Sequence, residues 1–205
     1  MAPLAQRLAQ RHRVLSPDLP GFGRSGKPRE VLDMDGLADA LATWMDAVAL
    51  PRAHVVGNSM GCQVGMALAE RHPARVDRLV LIGPTTDAHA RTVPRQAARL
   101  ARDLPREKPS LVFAHVPDYV RAGPLRILRT LSHVMRDRIE ERAARVRAPT
   151  LVLRGERDAL VSARFVEELA ARMPDARVET LPGAPHAANY SAPDVTARAI
   201  LRFLA

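Results

Sequence analysis

The sequence predicts an α/β protein built on a parallel sheet. Short apolar runs recur along the chain and end in Gly or Pro clusters, as in Leu79–Ile82 before Gly83-Pro84. Segments with apolar residues at helical spacing separate those runs. The runs Arg78–Ile82 and Pro149–Leu153 are nearly continuous in apolar residues, like strands buried on both faces. Strands alternating with helices imply parallel pairing through right-handed crossovers. At 205 residues the chain fits one domain with room for a core.

Taken in order, residues 3–11 read as an amphipathic helix and Arg13–Pro17 as a short strand. Asp18–Gly26 is a Gly/Pro-rich loop. Leu37–Leu50 has helical periodicity, with Asp33 or Asp35 placed to cap it. Ala53–Val56 is a strand, and Cys62–Arg71 is a helix. Arg78–Ile82 and Pro149–Leu153 are the two buried strands. Ser162 caps a helix that Pro174 ends. Arg177–Leu181 is the last strand and Ala192–Leu204 the last helix. Between Thr86 and Val146 the alternation stops: the stretch is Arg-rich, helical by pattern and punctuated by five prolines. The expected organisation is a core of residues 1–85 and 147–205 with a helical insertion over the strand ends at 86–146.

Composition narrows the function. The hydrophobic fraction is 47% and the charged fraction 26%, as in globular proteins, and no run is long enough to span a membrane. The net charge is +9, and all but Lys27 and Lys108 of the 31 basic residues are arginines. These are scattered among acids. With aromatics at 3% there is no base-stacking platform, so neither a nucleic-acid nor a membrane partner is expected. The single cysteine, Cys62, excludes an internal disulfide and points to a reducing, cytoplasmic compartment. It reads as a small buried hydrophobe. No set of residues has metal-ligand spacing, so no metal or other cofactor is expected.

The sequence Gly57-Asn58-Ser59-Met60-Gly61 falls between a strand and a helix. A serine on such a sharp turn occupies strained backbone, and side chains at 57 or 61 are expected to clash. The turn exposes the Ser59 hydroxyl and aims the Met60 N–H at the position of a developing oxyanion. A serine needs a base, and the base an orienting acid. Asp158 follows the run ending at Leu153, and His186 the run ending at Leu181. Loops after parallel strands share one edge, so Ser59, Asp158 and His186 can converge. Asp87 is the alternative acid. His54, in mid-strand, reads as a packed core histidine, and His72 as a helix C-terminal residue. Gly61 and Gly65 are expected to let the helix approach the sheet. Gly21 and Gly23 lack the dinucleotide-binding pattern.

On these residues the chain resembles the α/β-hydrolase family in its lidded form, over nearly its whole length. Asp18–Ser25 looks like the loop after the family's fourth strand, Gly57–Gly61 like its nucleophile elbow, and Arg71–Val76 like the turn into the sixth strand. Pro149–Asp158 looks like the acid-bearing strand, and Gly183–His186 like the histidine loop. The resemblance implies Ser59 as nucleophile, His186 as general base then acid, Asp158 as orienting acid, and 86–146 as a cap. The implied reaction is cleavage of an ester or related acyl bond in a small molecule. Asn58 is reminiscent of carbon–carbon bond hydrolases, and acyl transfer uses the same triad. The family's first strands, and the loop giving the second oxyanion donor, have no counterpart here. The expectation is an N-terminally truncated version of the fold, from a longer natural or ancestral protein. Residues 13–17 would then lack their usual neighbour or slide over to pair with the elbow strand, and a non-catalytic product becomes an alternative.

Overall fold

The computed structural model describes residues 2–205. Its elements are α1 (Ala2–Leu8), α2 (Met34–Ala47), β1 (Ala53–Asn58), α3 (Met60–Arg71) and β2 (Val76–Ile82). Then come α4 (Val93–Asp103), α5 (Pro109–Ala122), α6 (Pro124–Arg136) and α7 (Ile139–Arg142). The chain ends with β3 (Thr150–Gly155), α8 (Ala163–Ala171), β4 (Ala176–Leu181), α9 (Ala188–Ser191) and α10 (Pro193–Leu204). The strands form one parallel sheet in the order β1-β2-β3-β4.

Two apolar layers cover the sheet. On one side α2, α3, α7 and α8 pack through Met45, Met66, Leu68, Ile139, Phe165 and Leu169 against Leu79, Leu81 and Val152. On the other, α1, α9 and α10 pack through Leu4, Leu8, Ala188 and Ile200 against Val80, Ile82, Leu151 and Leu153. Adjacent residues of β2 and β3 thus serve opposite layers, which is why these strands read as unbroken apolar runs. Ile139, Ala143 and Val146 are fully buried in the first layer, so the chain rejoins the core before β3 begins. Local signals work as read: the Asp33 carboxylate accepts the Gly36 N–H at 2.9 Å, and Ser162 Oγ accepts the Phe165 N–H at 3.2 Å.

Two expectations fail at one edge. Arg13–Pro17 is extended but joins no ladder. It runs near β1, with the His12 ring 6.2 Å from that of His54, and Val14 packs on the second apolar layer. It does not slide over to pair with β1. A β-strand exists only by pairing, and among the described residues this segment pairs with no strand. His54 is accordingly not a core residue. It lies exposed on the edge strand β1, with Nδ1 3.1 Å from the Asp77 carboxylate. His72 does cap α3, and its Nε2 lies 2.7 Å from Asp39.

Between β2 and β3 the described residues contain no strand. Helices α4, α5 and α6 leave large apolar side chains in solvent, among them Phe113, Val120, Leu125 and Leu128. Among the described residues, no helix is long and apolar enough to cross a membrane.

Candidate active site

Ser59 sits between the last residue of β1 and the first of α3, with φ 54° and ψ −119°. That is left-handed space for a residue with a side chain, a strain of order 1–3 kcal/mol. A Cβ on Gly57 would lie 2.3 Å from the Gly61 carbonyl oxygen, so only glycine lets the helix start this close to the strand. Gly61 departs from expectation: a Cβ there would meet nothing within 4 Å. Gly65 lies closer to the sheet, where a Cβ would reach Leu79 at 3.2 Å. The Ser59 N–H donates to the Ile82 carbonyl at 3.0 Å, anchoring the turn to β2. Met60 opens α3, where a backbone N–H has no intrahelical acceptor.

The loops after β3 and β4 bring Asp158 and His186 together. Asp158 Oδ2 lies 2.9 Å from His186 Nδ1, which donates to the carboxylate. Oδ1 accepts the N–H groups of Leu160 and Val161 at 2.8 and 3.0 Å. Both residues are buried. Burial pulls the His186 pKa down. The hydrogen bond and charge of Asp158, with the charges of Asp103 and Glu107, outweigh it and hold the imidazole above its ordinary value. His186 Nε2 is buried and has no hydrogen-bond partner among the described residues. No hydrogen bond joins it to Ser59. The elbow and the histidine loop are nevertheless neighbours, because Asn58 Nδ2 donates both to Ile82 O at 3.0 Å and to His186 O at 3.4 Å.

Asp87 is engaged elsewhere. Its buried carboxylate accepts from Arg99 Nη1 at 2.5 Å and from the N–H groups of His89 and Ser162. Burial raises its pKa, but Arg99 and these donors hold it below the usual carboxylate value. Cys62 is fully buried, and burial pushes its thiol up, as for an inert structural cysteine.

The sequence reading missed two features. Gly83 reads from sequence as a strand terminator only; in the structure it has φ 54°, and a Cβ there would strike His186 Nδ1 at 2.9 Å and Asp158 Oδ2 at 3.1 Å. A glycine directly after a buried strand was the available signal. The second is a pair of buried acids, Asp103 and Glu107, just beyond the Asp158–His186 pair. Nothing in local sequence distinguishes them from the insertion's other charges. A groove of about 510 Å³ lined by Leu19, Lys27, Leu41 and Trp44 contains none of these residues.

Comparison with known proteins places the chain in a family. The alpha/beta hydrolase family model matches residues 1–199. A protein named carbamate hydrolase RutD from Caulobacter sp. (strain K31) is 32% identical over 99% of this chain and 84% of its own length. The 2-hydroxy-6-oxo-6-phenylhexa-2,4-dienoate hydrolase of Burkholderia cepacia is 30% identical over 97% of this chain and 79% of its own. The crystal structure of a hydrolase from Pseudomonas aeruginosa PA01 superposes with a TM-score of 0.77 at 30% identity, covering 97% of this chain and 82% of that one. The chain is a hydrolase that belongs to the alpha/beta hydrolase family.

Proposed function

We propose that this hydrolase cleaves an ester or related acyl bond of a small molecule through Ser59, His186 and Asp158. Ser59 Oγ attacks the carbonyl carbon while His186 Nε2 takes its proton. Asp158 holds the imidazole with Nδ1 protonated and stabilises the cation that forms. Negative charge develops on the carbonyl oxygen and is met by the Met60 N–H. The intermediate collapses to an acyl-enzyme, and the leaving alkoxide takes the proton from His186. Water then attacks the acyl carbon, His186 takes its proton, and the acid leaves as Ser59 is reprotonated. The helices between residues 86 and 146 serve as the cap over this site.

The observation behind this reading is a strained elbow serine, whose neighbour Asn58 bonds the His186 carbonyl, together with a buried histidine whose Nδ1 bonds an acid and whose Nε2 is unpartnered among the described residues. Catalytic hydrogen bonds in unliganded enzymes often close only when substrate is seated. A cytoplasmic setting is supported by the single buried cysteine.

A second reading is hydrolysis of a carbon–carbon bond next to a carbonyl. Asn58 favours it, because its amide links the elbow to the His186 carbonyl, and the Burkholderia cepacia relative is named for such a substrate. Labelling with a fluorophosphonate tests the serine: wild type should react and Ser59→Ala should not. Turnover of p-nitrophenyl esters against a ring-fission 1,5-diketone then separates the two chemistries. Folded wild-type protein that resists the label would support the non-catalytic alternative.

A further inference from the structure

Asp103 ends α4, and Glu107 follows the short 3₁₀ turn Leu104–Arg106. Both acids are buried, with 2% and 9% of their surface exposed. Their partners fall at matching places. Asp103 Oδ1 accepts the N–H of Ala159, the residue after Asp158, at 3.0 Å. Glu107 Oε1 accepts the N–H of Ala187, the residue after His186, at 2.6 Å. Glu107 Oε2 accepts the Ser191 hydroxyl, and that oxygen in turn accepts the Lys108 N–H at 3.3 Å. One short segment of the insertion thus grips both loops that carry the acid–base pair.

We propose that Asp103 and Glu107 are positioning residues: a two-carboxyl clamp that holds the loops carrying Asp158 and His186 in register with each other. This rests on the reading of His186 as the general base. Two carboxyls desolvated together are an expensive way merely to dock a helix, because each disfavours the charge of the other. Burial, and then the neighbouring Asp103 through charge and hydrogen bond, raise the Glu107 pKa despite the donors Ser191 and Ala187. What the arrangement supplies is negative charge facing the imidazolium that forms on His186. The charges that hold the imidazole pKa up are those of Asp158, to which it is hydrogen-bonded, and of Asp103 and Glu107.

The test compares wild type, Glu107→Ala, Glu107→Gln and, as a control, Val120→Ala on the exposed face of α5. Two quantities are read: the pH dependence of Ser59 acylation by a fluorophosphonate, and the downfield proton resonance of the His186 Nδ1–H bonded to Asp158. Glu107→Ala should acylate about 10–100-fold more slowly at the plateau, with the resonance broadened or lost while the melting transition stays cooperative. Glu107→Gln keeps an acceptor for the Ala187 N–H. It should recover most of the plateau rate, yet move the acid limb to lower pH, because the imidazolium loses a neighbouring charge. Val120→Ala should match wild type. The clamp is overturned if Glu107→Ala shows wild-type rate, acid limb and resonance. Failure of the serine reading looks different: wild type itself would not label, and the resonance in Glu107→Ala would still decide the clamp.

Discussion

The sheet and the helical insertion are held by different forces. Leu79, Leu81, Val152 and Leu153 are buried almost completely between two layers of helices. In the insertion, Phe113 is 77% and Val120 75% exposed. Its attachment is polar and particular. Arg99 reaches Asp87 and the Leu160 carbonyl, Arg91 pairs with Glu140, and Gln63 and Thr86 both donate to the Val134 carbonyl. Arg142 gathers Asp35, Glu70 and Asp137, each at 2.7 Å. The core is specified by how many methyl groups it hides, whereas the stretch from α4 to α6 is fixed more by which donor meets which acceptor, apolar burial returning at Ile139, Ala143 and Val146. The proposed site lies where the two meet: the loops after β3 and β4 carry Asp158 and His186, and Asp103 and Glu107 bond the backbone of those loops.

That contrast can be broken in graded steps. The largest effect falls at the boundary: Ser59→Ala should lower turnover by about 10⁴-fold or more, with little change in urea midpoint. In the core, Leu81→Ala should cost about 3 kcal/mol in equilibrium urea unfolding. Arg142→Ala, which leaves three half-buried or buried carboxylates without their shared cation, should cost about 2 kcal/mol. At the small end, Phe113→Ser should change stability by less than about 0.5 kcal/mol. A large loss there would mean that the outer face of α5 is not solvent-facing.

Titration sharpens the comparison at His186. Its folded pKa is raised above the ordinary 6.5. The pair with Asp158 therefore stabilises the fold fully below the unfolded value, and that contribution is lost as pH rises through the raised folded value. Urea midpoints of wild type and His186→Gln should differ more at about pH 5.5 than at about pH 8.5. In the proposed mechanism activity runs the other way, because His186 must be neutral to act as base: the acid limb should lie above the ordinary imidazole value.

Much of this was legible in the sequence for physical reasons. Leu79–Ile82 announces a strand covered on both faces, since no amphipathic element could carry it. Gly57 is legible because the turn at Ser59 leaves no room for a Cβ. The strand at Arg13–Pro17 was misread because local β pattern cannot report whether a partner is present. His54 was misread for the same reason, as an edge residue looks central in sequence. Asp103 and Glu107 were invisible because their partners, Ala159 and Ala187, are backbone groups more than 50 residues away, and a backbone N–H leaves no mark on composition.

The edge position of β1 has a mechanical consequence. Among the described residues, β1, which leads into Ser59, pairs with β2 alone, whereas β2 and β3 are flanked on both sides. Local opening starts where fewest ladder bonds must break. The backbone strain at Ser59 is therefore borne by the least anchored strand on that side of the sheet, with α3 and the Ile82 carbonyl as its main restraints. Loosening the Ser59–Ile82 bond would therefore free the elbow, whereas loosening α3 would open the apolar layer it belongs to.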